Sequence, residues 1–284
     1  MTAPSTAYSA PDGGAPEGEV HPIVEAIAAQ RRQQSRNFRI VFVVTWLVVI
    51  GGAMGSLLLT GKIDLDFMVK WTPYIIGGVT TTIYVAIISI VFAIAFAVFG
   101  ALGRLSSQPA IYAISTLYVS LVRGTPLLVQ ILFIYLALPQ IIPPVSDVPK
   151  EVLGVFALAF NYGAYMTETF RAGIQAVPRG QTEAAAAIGM PARVRMRRII
   201  LPQAVRIITP AIGNDFISMI KDSSLVSVIG VPELLWRAQR IGQSNFKGLE
   251  TLMVAAAIYW GLTIVLSLGQ DRLEKRMAES DRRI

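Results

Sequence analysis

Six stretches of this chain are apolar over about a bilayer's width, at roughly 40–60, 73–102, 111–138, 151–172, 204–228 and 251–269. A helix needs about 20 such residues to cross the ~30 Å hydrocarbon core, and a backbone in lipid must satisfy its own hydrogen bonds. Together these conditions predict an all-α integral membrane protein with about six transmembrane helices. The composition agrees, since 54% of the 284 residues are hydrophobic and only 15% are charged, too apolar for an ordinary soluble domain.

The net charge of +7 would suggest nucleic acid in a soluble chain, but here its distribution explains it. With the N-terminus inside, seventeen of the 25 Lys and Arg fall on one side and six on the other. By the positive-inside rule the richer side is cytoplasmic, which places both termini in the cytoplasm of a multi-pass protein of the cell (inner or plasma) membrane, with the lipid bilayer as a partner and no nucleic acid. There is no cysteine, and the one histidine, His21, stands beside Pro22 in a polar segment. Disulfides are excluded, and no metal site is expected.

Residues 1–38 read as a cytoplasmic, largely disordered tail, within which 23–34 fits either a short helix at the membrane surface or a solvated stretch of tail. Residues 39–72 read as an N-terminal span and its outer loop, 73–270 as the main transmembrane domain, and 271–284 as a cytoplasmic tail.

Between the fourth and fifth apolar stretches lies TEAAAAIGMPARVRMRRIILPQA, residues 182–204. Gly180 precedes a first helical piece, Gly189 suits its left-handed end, and Pro191 suits the first turn of a second piece. Pro202 is expected to break or bend the chain before it re-enters the membrane. Small residues such as Ala184 and Ala185 let another protein's groove approach the backbone. Glu183 is placed near a helix N-terminus, where an acid is favoured. A cytoplasmic hairpin over 174–203 follows, built to be gripped or, more simply, to orient the chain.

EAAAAIG (183–189) followed by PQA (202–204) resembles the EAA loop of ABC importer permeases. LVRGTPLLVQILFIYLALP (121–139), YGAYMTETFRAGIQAVPRGQTEAA (162–185) and KDSSLVSVIGVPEL (221–234) are similar to the polar amino-acid uptake branch of that family. The resemblance spans about 75–270. It implies a five-helix type I permease core, with the first span as an addition of no family role. It also implies a cytoplasmic ABC ATPase dimer gripping the hairpin through Glu183, Ala184, Ala185, Gly189, Arg193, Arg197 and Pro202. Further implied partners are a second permease chain, identical or related, and an extracytoplasmic amino-acid-binding protein. ATP and Mg would be bound by the ATPase, with no cofactor in this chain. A phosphate loop requires G-x-x-x-x-G-K-[ST]. GSLLLTGKI (55–63) has one residue too many between its glycines and ends in Ile63. The chain is therefore read as a transporter subunit, not an enzyme.

Ionisable groups inside a span cost roughly 2.5–3.5 kcal/mol on insertion scales, so each needs a partner or a water-filled cavity. Asn161, Tyr165 and Glu168 recur at i, i+4 and i+7, as do Asn214, Ser218 and Lys221, while Asp215 and Asp222 form an adjoining stripe. Arg123 precedes Gly124, Thr125 and Pro126, a step expected to kink the third span and free backbone groups. One reading makes Arg123, Asn161, Glu168, Asn214, Ser218, Lys221 and Asp222 a translocation path, with cations for a substrate carboxylate and acids for its ammonium. The other pairs these charges with one another, Glu168 with Arg171 among them. An autonomous secondary transporter or channel, using the same charges for ion coupling, is the alternative function; the hairpin is the feature such a protein does not need. The segment 230–249, with Leu234, Leu235, Ala238 and Ile241 at helical spacing, reads as an outer-surface helix.

Overall fold

A computed structural model describes residues 22–61 and 63–281, and every regular element among them is helical. The chain divides into two units, residues 1–63 and 64–284. The first contains α1 (Pro22–Leu59), one unbroken helix of 38 residues. The segment 23–34 is therefore helical but continuous with the span, so the helix begins well inside the stretch read as a tail. Residues 1–20, expected to be disordered, lie outside the described residues. Rings adjoin along one side of α1 from Phe38 to Phe42, stacked, and from Phe42 to Trp46, tilted, with centroids 6.3 and 5.8 Å apart.

The second unit starts with α2 (Leu65–Ile76), capped by Asp64, whose side chain accepts the Phe67 N–H. α2 crosses the boundary drawn at 72/73, helical where an outer loop is expected, and lies in the larger unit, where Ile75 packs with Leu234, Ala238 and Ala255. After Gly77 and Gly78 comes α3 (Val79–Arg104), then α4 (Pro109–Arg123), α5 (Leu127–Leu132) and α6 (Leu138–Ile141). The long α7 (Lys150–Gln175) leads to the short α8 (Arg179–Ala187) and α9 (Ala192–Arg195), and then to α10 (Leu201–Asp222). A 3₁₀ segment, Ser223–Ile229, joins α10 to α11 (Leu234–Asn245), and α12 (Gly248–Asp281) ends the fold.

Three stretches among the described residues are long and apolar enough to cross a membrane: Arg36–Leu57, Leu65–Arg104 and Gly248–Met277. A bent pair, Pro109–Arg123 with Leu127–Ile141, makes a fourth if it counts as one span. Helices also occupy the other two apolar stretches, as α7 and α10, but these carry the polar residues and are not among the four.

The centre of the unit is the α3–α7 pair, where small residues bring two helices close, as packing in lipid favours. Ala86, Ala93 and Ala97 of α3 and Ala157 and Ala164 of α7 are buried. A Cβ on Gly163 would lie 2.5 Å from that of Phe96, and one on Gly100 would overlap the Thr167 side chain. Met219 and Ile220 of α10 pack on the same cluster.

Candidate functional site

The third apolar stretch turns by 106° at Gly124–Pro126. Glycine and proline end α4 there, and the freed carbonyls at membrane depth need donors. The neighbouring Arg123 does not supply them, and Gln130 does. Its Nε2 lies 2.8 Å from Val122 O, 3.1 Å from Thr125 O and 2.8 Å from Thr125 Oγ1. Its Oε1 accepts from Asn161 Nδ2 at 3.1 Å. Asn161 is buried, and this bond ties α7 to the break. The signal was available, since a lone amide inside LLVQILFIY at membrane depth must find partners.

Relieved of the carbonyls, Arg123 is exposed, its guanidinium 5.3 Å from the centre of the Tyr165 ring. Glu168 lies further along the same α7 face, and its charge is taken by arginines on both sides. Arg104 Nε donates to Oε1 at 3.1 Å, and Arg171 donates Nε and Nη2 to Oε2 at 2.9 and 2.7 Å. Arg104 also donates to Thr116 Oγ1 at 2.7 Å. The i,i+3 pair anticipated from sequence is therefore present, joined by a longer-range one.

On α10 the two stripes separate. Asn214 and Lys221 are exposed and Ser218 is half-buried, while Met219 and Ile220 on the opposite face have no exposure. Lys221 forms no ion pair among the described residues. Asp222 turns the other way and accepts the Tyr162 hydroxyl at 2.7 Å. Lys221 and Asp222 therefore do not neutralise each other, nor do Arg123 and Glu168. Tyr162 was not singled out on sequence.

In the hairpin, α8 begins at Arg179 with Pro178 as its cap, so Gly180 lies inside the helix. Glu183 stands a full turn in, where the N-terminal dipole argument no longer applies. Gly189 has φ +77° and nothing within 4 Å of its Cβ direction. Its N–H donates to Ala186 O and that of Met190 to Ala185 O, at 2.9 and 3.0 Å, the left-handed closure expected of it. Glu183, Ala184, Arg193, Arg197 and Pro202 are exposed, whereas Ala185 is buried. Pro202 does not break the chain. A π turn at Met196–Ile200 opens the helix just ahead of it, so α9 runs on into α10. The same device, Phe133–Ala137, precedes Pro139, because a wider turn accommodates the ring that an α turn would clash with. Among the described residues no group of acids and histidines could hold a metal ion.

Residues 93–279 match the model of the binding-protein-dependent transport system inner membrane component. The chain belongs to that family. It is 38% identical over 217 residues to the probable amino-acid permease protein YxeN of Bacillus subtilis, covering 76% of this chain and 97% of the relative. It is 41% identical over 206 residues to the L-cystine transport system permease protein TcyB of Bacillus subtilis (72% and 87%). The crystal structure of an amino acid ABC transporter with histidines superposes at a TM-score of 0.71, with 40% identity over 75% of this chain and 99% of that one. The MetNI methionine ABC transporter, at 16% identity and a TM-score of 0.61, shares the fold. A family member of this kind is a membrane permease subunit, not an ATPase, which sets aside the autonomous secondary transporter.

Proposed function

We propose that this chain is the permease subunit of an ATP-driven importer of polar amino acids, and that the exposed polar face of α10 lines its path. Relatives named for amino acids and L-cystine support the substrate class. The observation that carries the path is the outward stripe Asn214, Ser218, Lys221. Polar groups within a span face a bundle interior or water, and this one points away from the chain's own core. A second permease chain facing it completes the cavity. Lys221 and Arg123 then meet the substrate carboxylate, while Asp222, turned to Tyr162, fastens α10 to α7. Glu168, already held by Arg104 and Arg171, fastens the inner end of α7 instead.

The hairpin around Glu183, Ala184, Gly189, Arg193 and Arg197 is the surface gripped by a cytoplasmic ATPase dimer that binds ATP and Mg, with both termini on that side. An extracytoplasmic amino-acid-binding protein delivers substrate from the other.

Lys221→Met tests the path. Because Lys221 pairs with no described carboxylate, the variant should keep its thermal stability while uptake falls about tenfold or more, and Asp222→Asn should not restore it. Loss of stability, with uptake rescued by the double neutralisation, would instead make Lys221 a structural partner.

A further inference from the structure

Glu233 is fully buried, forms no ion pair among the described residues, and has no part in the path. Its carboxylate joins three helices. It accepts the Trp236 N–H of α11 at 2.7 Å and the Tyr259 hydroxyl of α12, and lies 3.4 Å from the Thr82 hydroxyl of α3, which shares its proton between Glu233 and Gly78 O at 3.2 Å. Thr82 Oγ1 in turn accepts the Leu234 N–H at 3.3 Å. The nearby Arg237 is committed elsewhere, its Nη1 to Tyr74 O and its Nε to Pro232 O at 3.2 and 3.3 Å.

The same point is where α3 and α11 touch backbone to backbone. A Cβ on Gly78 would stand 2.6 Å from Leu234 Cα. Gly78 caps α3 without a side-chain bond, and Glu233 caps α11. The N-terminus of α11, with its partial charge of about +0.5, therefore meets the junction of α2 and α3. A carboxylate there offsets that charge, which a neutral amide of the same shape does not do.

From this joint α3 runs 26 residues, about 39 Å at 1.5 Å per residue, locked along α7 by Gly100 and Gly163. It ends at Arg104, whose bond to Glu168 places it in one cluster with Arg171, just ahead of α8. We propose that Glu233 is a positioning residue for transport: its carboxylate ties the outer-surface helix α11 to α3, and through that strut to the inner arginine cluster that leads into the hairpin. The free face of α11 is open to load from outside, where Trp236, Gln239, Arg240 and Gln243 line a groove of about 640 Å³ with Ser227 and Val228.

The test is hydrogen exchange on the full-length protein in lipid nanodiscs, together with uptake of radiolabelled polar amino acids by cells carrying the whole transporter. Glu233→Gln keeps the acceptor but loses the charge; Glu233→Asp keeps the charge. For the glutamine variant, exchange should rise about fivefold or more both in 234–245 and, far away, in 179–187, with uptake reduced, while the aspartate variant retains most of both. A rise confined to 234–245 would mean local packing only and would overturn the proposal. So would a glutamine variant indistinguishable from the native protein, or one equal to the aspartate variant. If Glu233→Gln does not assemble, Thr82→Val, which removes the α3 side alone, is read by the same two exchange regions.

Discussion

Replacing Gln130 with leucine removes the amide that holds the 106° break and leaves the size nearly unchanged. Three links disappear: the two hydrogen bonds that the two Nε2 protons make among Val122 O at 2.8 Å, Thr125 O at 3.1 Å and Thr125 Oγ1 at 2.8 Å, and the one from Asn161 at 3.1 Å. A typical intramolecular hydrogen bond contributes about 1 kcal/mol net, and those measured between membrane helices average about 0.6. The three links together therefore stabilise the break by about 2–3 kcal/mol. Thr125 Oγ1 still reaches Leu121 O at 3.0 Å, so the loss is not larger. Asn161, buried and left without its acceptor, accounts for part of it. Gln130→Leu combined with Asn161→Leu should consequently cost less than the sum of the two single changes, by about 0.5–1 kcal/mol. Thermal or denaturant unfolding of the four proteins in one detergent measures this cycle. A single variant within about 0.5 kcal/mol of the native protein, or strictly additive losses, would refute the assignment of the break to this amide.

Gly189→Val forces a branched side chain into φ +77°, at about 1–2 kcal/mol or more; co-purification of the ATPase and uptake should both fall while membrane insertion persists. Gly78→Ala drives a methyl into the Leu234 backbone, 2.6 Å away, and should lower stability by about 1–3 kcal/mol. Gly55→Ala, inside α1 with nothing within 4 Å, should not lower stability and should raise it by up to about 1 kcal/mol in the same melting experiment. At the start of α2, the Phe67 N–H and then Lys247, 3.3 Å away, hold the Asp64 carboxyl below its usual range. A depressed carboxyl adds stability above its unfolded pKa of about 3.9 and loses it as pH falls through the lower folded value. Amide exchange at the start of α2 should therefore stay flat from neutral pH to about 4 and rise only below that, with correction for intrinsic rates. A rise already at pH 5–6 would contradict the sign.

The sequence by itself determined what depends on neighbours a few residues apart or on bulk polarity. Apolar length specified a helical membrane protein, because lipid offers the backbone no other partner. Gly189 and Pro191 specified the hairpin turn, since a left-handed residue and a fixed φ act within one turn of chain. Gly124 and Pro126 foretold the break, and Glu168–Arg171 was legible as an i,i+3 neighbour. Partner choice across the fold was not legible, because it depends on which helix faces are pressed together. Only the tertiary structure gave Glu168 a second arginine 64 residues away and gave the break's carbonyls to Gln130 instead of Arg123. It also placed α2 in the larger unit and set Glu233, the cap of α11, within reach of Thr82, 151 residues away. Pro202 shows the same limit from the other side. Its local rule predicts an interruption, but the packed helix absorbs the ring in a π turn, since Ile200, Ala204 and Ile208 are buried together with Val177. That burial favours one continuous helix over a broken one.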